Sequence, residues 1–462
     1  MNEALIRQIA ETVLKELRGG SGSDKDQNGI FTEMSDAIEA AKNAAKVLRA
    51  LSLDAREKII QAVRASCREH AGELAKLAVE ETGMGDVAHK TLKHILVADK
   101  TPGTEDLSTV AWSGDKGLTL VEQGPFGVVG AVTPCTNPGE TIFCNAIGML
   151  AAGNAVVFNP HPNAVKTSNL AVRLINEASE RATGHRQNVV FSVVKPTLAA
   201  AEIMFRSPDI SLLVATGGTA VVTAILSSGK RGIGAGAGNP PVLVDETADI
   251  AKAAADIIDG CTFDNNLPCI AEKEVVAVES VHAELIERMT ERGAYLASPE
   301  VIESLVKVVF TDKGALNRAC VGRSAKALLH TVGVTVSDDI RCIIFPAAAG
   351  HIFVQDELMM PILGIVKAKD FDEALDMCVQ MEHGNRHSAH IHSKNVDRLT
   401  RYAKAIDTAI LVKNAPSYAA IGFNGEGFCT FTIASRTGEG LTSAKTFTKS
   451  RRCVMSDALC IR

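Results

Sequence analysis

Beyond about residue 119 the chain alternates between short apolar segments, at 126–132, 155–158, 189–193, 212–215 and 242–244, and stretches of helical periodicity. That alternation predicts a parallel β-sheet with crossover helices, an α/β architecture. Ligands of such sheets bind at the carboxyl ends of the strands, so functional residues are sought there. Ahead of the alternation, residues 33–97 read as helical throughout, with amphipathic alanine-rich runs at 36–50 and 55–81 that form a helical entry to the main fold.

A chain of 462 residues exceeds one compact core, so two or three domains are expected. The net charge of −6 and the absence of a clustered basic run argue against nucleic acid as a partner; Lys449 with Arg451 and Arg452 is too short a cluster. No stretch of 18 uncharged apolar residues occurs, which predicts no membrane span. The 11 cysteines are scattered and never fall into CxxC spacing, which removes the usual zinc patterns. Each is expected to be a small buried apolar residue unless a specific argument singles it out.

The first twenty residues stand apart. Leu5, Ile9, Val13 and Leu17 recur every four residues, with Ile6, Ala10 and Leu14 beside them, which predicts one apolar stripe on a short helix. Residues 19–23, Gly-Gly-Ser-Gly-Ser, follow as a flexible tether. A helix this short is marginal in water by itself, so it either folds back on the core or docks on a partner, and the tether favours docking. Glu3, Arg7, Glu11 and Lys15 interrupt any secretory h-region.

A dinucleotide fingerprint would be sought among the strand-end glycines. The run Gly232, Gly234, Gly236, Gly238 does not match GxGxxG and leads into Asn239-Pro240-Pro241 and another strand. A better pyrophosphate site is Thr216-Gly217-Gly218-Thr219, between an apolar strand and a helix, although a plain tight turn uses the same residues. The histidines at 383, 387, 390 and 392 are dense, and His390 with His392 fits one strand face; with no accompanying carboxylates, no metal site is expected.

Three further segments are more specific: 124–129 (GPFGVV), 133–138 (TPCTNP) and 152–157 (AGNAVV) together resemble the nucleotide-binding half of the aldehyde dehydrogenase superfamily. Residues 264–273 (DNNLPCIAEK) resemble the nucleophile loop of its CoA-acylating branch, and 425–427, 437–440 and 451–454 resemble its tail. The group most similar is that of the propionaldehyde and acetaldehyde dehydrogenases of bacterial microcompartments, whose members carry an N-terminal helix that directs them into a protein shell.

This resemblance implies a Rossmann-like NAD domain and an α/β catalytic domain. It divides the chain into a targeting helix (1–20), a linker (21–30), an NAD and coenzyme A-binding domain (31–235, with an oligomer hairpin at 107–122), a catalytic domain (236–428) and a C-terminal segment (429–462) returning to the oligomerisation sheet. It implies Cys269 as nucleophile and Asn137 as oxyanion donor, acting with the Cys269 backbone N–H; Asn137 could instead be only a turn residue before Pro138. It implies cofactor contacts at Thr133, Pro134, His161, Gly217, Gly218, Thr219, Gly234 and Glu357. His161 fits a ribose contact or a proline-flanked turn equally, and Glu357 a ribose contact or a helix-start carboxylate. Implied partners are a short-chain aldehyde, coenzyme A, further copies of the chain as dimer or tetramer, and shell proteins bound through 1–20, in the bacterial cytoplasm inside a microcompartment.

One departure from the hydrolytic members is informative. They carry a glutamate roughly 35 residues before the cysteine as base for water; here that place falls in 232–238, best at Gly234, and holds only Gly, Ile and Ala. The glycine is expected to open space for a pantetheine arm. Without a base for water an acyl-cysteine should wait for a thiol, which with a pKa near 8.5 needs far less help. A hydrolytic enzyme and a non-catalytic scaffold are the rival readings.

Overall fold

The computed structural model describes residues 28–461, so the apolar stripe at 1–20 lies outside the described residues. Two parallel sheets dominate. The first runs in the order Ile30–Phe31, Val190–Val193, Ala155–Pro160, Val128–Thr133, Ile210–Thr216, Gly232–Ala235. The second runs Ala294–Leu296, Cys342–Ala347, Ile362–Ala368, Glu274–Val278, Pro241–Val244, Ser388–His392, Ile410–Lys413. The apolar runs form these strands because both faces are covered: every residue of Ala155–Pro160, Glu274–Val278 and Pro241–Val244 is buried.

The first sheet builds outward in both directions from Val128–Thr133, which pairs with Ala155–Pro160 on one side and Ile210–Thr216 on the other. Chain order reverses between the first and the last of these strands, which makes a switch point whose crevice opens at their carboxyl ends. The loops after Thr133 and after Thr216 flank that crevice.

The entry helices are Met34–Ala50, Leu53–Glu69, Ala71–Thr82 and Val87–Lys100. The run at 55–81 is therefore two helices. His70 separates them with φ −101° and ψ 10°, its Nδ1 placed 2.9 Å from the Ser66 carbonyl.

The hairpin strands Val110–Gly114 and Gly117–Pro125 pair antiparallel with each other, and Gly117–Pro125 pairs antiparallel with Thr448–Ser456, in a separate three-stranded sheet. Just before it, Cys429, Phe431, Ile433, Ala434, Ala444 and Phe447 re-enter the core of the first sheet. Phe447 packs on the helix Pro138–Ala151 so closely that a Cβ at Gly148 would meet its ring at 3.0 Å. Phe447→Ala is expected to lower stability by about 3–5 kcal/mol, as large core truncations do, read from the denaturant midpoint. A change under about 1 kcal/mol would mean that the C-terminal segment only decorates the domain.

Candidate active site

The helix Ile250–Thr262 ends at Phe263, and Asp264, Asn265 and Asn266 then take left-handed backbone, with φ of 50°, 52° and 66°. Asp and Asn tolerate this region best among residues with a Cβ, and a run of three persists only where the surroundings hold it. Asp264 Oδ1 accepts from the Asp86 N–H at 2.8 Å, and Asn265 Nδ2 donates to the Gly322 carbonyl at 2.9 Å. Asn266 Nδ2 donates to the carbonyls of Cys261 (3.0 Å) and Glu272 (2.9 Å), one on each side of the loop. The Lys273 ammonium holds the other end of that carboxamide at 2.6 Å. Cys269 follows in a turn closed by the Ala271 N–H on the Pro268 carbonyl at 3.0 Å.

Cys269 is partly exposed and packs against the core of the first sheet. Burial, then the Glu357 carboxylate, push its thiol up to about 12, while Lys273 and Lys93 pull the other way. The thiol is therefore protonated at neutral pH in the unliganded protein.

Asn137 directly precedes the helix Pro138–Ala151 but its side chain does not cap it. The carboxamide is buried, and its Oδ1 accepts from the Lys93 ammonium. Lys93 also meets Asp264 Oδ2 at 2.5 Å and Glu140 Oε1 at 3.0 Å. Lys90 meets Asp264 Oδ2 at 3.0 Å and donates to the Thr136 carbonyl at 2.8 Å. All four charged side chains are at most 1% exposed. Burial pulls Lys93 down, but Asp264 and Glu140 outweigh it and hold it above the usual lysine range. Burial pushes Glu140 up, and Lys93, His94 and Lys90 overcome that to bring it to about 2.

Several of the expected cofactor residues directly follow first-sheet strands at the switch point. Thr133 ends its strand with a buried Oγ1 that has no hydrogen-bond partner, and Pro134 follows it. Gly217 and Gly218 join the strand Ile210–Thr216 to the helix that starts at Thr219, and nothing lies within 4 Å of where a Gly218 Cβ would stand. A free donor at a strand end and an open backbone at a helix start suit a pyrophosphate-bearing cofactor. His161 accepts from the Asn163 N–H at 3.1 Å, which is the turn role, and leaves Nε2 for a ligand. Glu357 is raised by burial and drawn the other way by Lys273 and the Gly238 N–H.

Gly234 needs a correction: it opens no space. It lies inside the strand Gly232–Ala235, and a Cβ there would come within 2.6 Å of Val222 Cγ1, on the helix that follows the neighbouring strand. The open position is Gly236, beyond the strand end, where nothing lies within 4 Å. Neither carries a base. Glu272, close to Cys269 in sequence, is turned away; its Oε1 accepts from the Ser417 N–H at 2.8 Å and its carboxylate lies against Gly260.

His387, His390 and His392 are buried, and burial lowers them to about 4, 3 and 3, so they are neutral. Among the described residues no group of three or more His, Cys, Asp or Glu is disposed to hold a metal.

Sequence reasoning missed Lys90, Lys93 and Glu140. A signal existed: Lys90, Lys93, His94 and Val97 share one helix face through i, i+3, i+4, i+7 spacing, and Val97 marks that face as buried.

The aldehyde dehydrogenase family model matches residues 27–304, more than half of the chain. The chain belongs to the aldehyde dehydrogenase family. It is 46% identical to a CoA-propanoylating propanal dehydrogenase of Salmonella typhimurium over the full length of both proteins. It is 44% identical to the acetylating acetaldehyde dehydrogenase EutE of the same organism, covering 99% of each. Among solved structures, a propionaldehyde dehydrogenase from the fucose utilisation microcompartment of Clostridium phytofermentans matches with TM-score 0.93 and 68% identity, over 94% of this chain and 100% of that one. A Rhodopseudomonas palustris propionaldehyde dehydrogenase, solved with bound CoA and an acylated cysteine, matches with TM-score 0.93 and 51% identity, over 95% and 100%. The fold of this aldehyde dehydrogenase is thus that of acylating members of its family.

The raised thiol gives a testable pH dependence. Iodoacetamide alkylation of the Cys269 peptide, followed by mass spectrometry in the unliganded protein, is expected to accelerate steadily from pH 7 to about pH 10, because thiolate is the reactive form. A plateau below about pH 8 would mean that the thiol is activated at rest.

Proposed function

We propose that this chain oxidises a short-chain aldehyde, propionaldehyde before acetaldehyde, to its acyl-CoA with reduction of NAD. The observation that carries the reading is the Cys269 loop combined with a glycine, Gly234, at the place of the hydrolytic base, where there is no carboxylate and a Cβ would meet Val222 Cγ1 at 2.6 Å.

The residues divide the work as follows. Cys269 loses its thiol proton and attacks the aldehyde carbon, forming a thiohemiacetal whose oxyanion is met by the Asn137 amide and the Cys269 N–H. Thr133, Pro134, Gly217, Gly218 and Thr219, with His161 and Glu357, hold the nicotinamide cofactor at the crevice. When bound, that cofactor supplies the hydride acceptor and a positively charged ring. Loss of hydride from the thiohemiacetal carbon leaves a thioester on Cys269. The thiol of coenzyme A then attacks this carbonyl and expels the Cys269 sulfur, giving acyl-CoA and free enzyme. The hydrolytic alternative would need another carboxylate, such as Glu357, to activate water, and Glu357 is assigned here to the cofactor ribose.

The separate sheet supports assembly into a homo-oligomer, dimer or tetramer: Trp112 and Val454 are 55% and 60% exposed on its strands, more apolar surface than a free sheet edge ordinarily shows. The apolar stripe at 1–20 is read as the helix that docks on shell proteins of a microcompartment in the bacterial cytoplasm.

The direct test mixes protein, NAD and propionaldehyde and follows NADH with and without coenzyme A. Sustained turnover is expected only with coenzyme A, and Cys269→Ala should abolish it. Continuous NADH formation without coenzyme A would establish the hydrolytic enzyme instead, and no turnover in either arm would favour the scaffold.

A further inference from the structure

We infer that Lys93 is a positioning residue for the reaction: from beneath the active site its ammonium fixes and polarises the Asn137 carboxamide so that the amide NH₂ faces the developing oxyanion. This rests on the reading of Asn137 as oxyanion donor and adds to it the group that makes the donor effective.

The orientation follows from donor chemistry. A carboxamide offers an oxygen at one end and an NH₂ at the other, and the two are easily exchanged. An ammonium has only hydrogens to give, so the Asn137 atom that touches Lys93 Nζ must be the oxygen. The NH₂ is thereby turned to the opposite side. The only other bond of that NH₂ to a described residue is a long one to its neighbour Thr136 Oγ1, at 3.3 Å, which an incoming oxyanion can replace.

Polarisation follows from charge. A cation on the amide oxygen draws electrons from the nitrogen and strengthens the N–H as a donor, and fully buried surroundings magnify the effect. Lys93 is held for this task by two acceptors, Asn137 Oδ1 and Asp264 Oδ2, and by an ion pair with Glu140 Oε1 at 3.0 Å. The Phe431 ring, 5.6 Å from Nζ, completes the enclosure. The cluster is neutral as a whole, two lysines against two carboxylates, so the ammonium is retained without a net buried charge.

One of those carboxylates, Asp264, belongs to the left-handed run that leads to Cys269. Lys93 therefore ties the donor and the nucleophile loop through a single atom.

The test is a double-mutant cycle in the full-length enzyme, with kcat and KM for propionaldehyde measured at saturating NAD and coenzyme A. Lys93→Met is expected to lower kcat about 10- to 100-fold, the worth of one charge-assisted hydrogen bond, with KM for aldehyde nearly unchanged. Asn137→Ala is expected to cost about 10²- to 10³-fold. In the Asn137→Ala background, Lys93→Met should cost several-fold less than in the wild type, because the part of its effect carried by the carboxamide is already gone and only its hold on Asp264 is left to lose. Lys93→Arg, which keeps a cation, should recover part of the loss. If Lys93→Met does not fold, Lys93→Met combined with Asp264→Asn keeps the cluster neutral and is expected to show the same dependence on Asn137. An unchanged kcat in Lys93→Met, or an equal loss in both backgrounds, would overturn the proposal. A wild-type kcat in Asn137→Ala would instead overturn the reading of Asn137 itself.

Discussion

The contact between Lys93 and Asp264, at 2.5 Å and out of reach of water, is the interaction on which the rest of the site depends. Lys93 is on the entry helix Val87–Lys100, and Asp264 is on the loop that follows the helix Ile250–Thr262, far away in the chain. A buried ion pair adds little net stability over an apolar substitute, but removing one partner leaves an uncompensated charge and costs several kcal/mol. Such a pair therefore favours the packing of helix against loop in which both charges are matched. Here that packing goes with a Cys269 that lies against the core of the first sheet.

The strained backbone at Asp264, Asn265 and Asn266 belongs to the same logic. None of the three is glycine, yet all have positive φ, and each side chain is committed to a bond that holds the loop. Asn266 holds both ends of the loop, and Lys273 holds Asn266. The nucleophile is thus carried on a turn with little freedom to drift, which is what alignment with a small aldehyde and a donor amide demands.

Much of this was legible in the sequence and some was not. Strands that need covering on both faces leave uninterrupted apolar runs, and those runs lie where the two parallel sheets lie. The strand at 242–244 was readable; the break at His70 was not, because alanine-rich helical periodicity continues straight across it. Cys269 and Asn137 stand in motifs, so resemblance reached them. Lys90 and Lys93 stand in none, and a lysine on an amphipathic helix is ordinarily taken as solvated; their burial depends on Asp264 and Glu140, some 170 and 50 residues away in the chain. The space expected at Gly234 was misjudged for a related reason: a glycine in a sequence does not show which neighbour fills its missing side chain, and here Val222 does.

What the thioester meets next remains the heart of the account. A glycine held against Val222 cannot activate water, and one oxygen of the nearby Glu272 carboxylate is already taken by the Ser417 N–H. The most direct measurement is the mass of the Cys269 peptide after one turnover with NAD and propionaldehyde, before and after coenzyme A is added. The account predicts a propionyl adduct on Cys269 that persists in water and is discharged by coenzyme A as propionyl-CoA. An adduct that decays equally fast without coenzyme A, or one found on another residue, would contradict it.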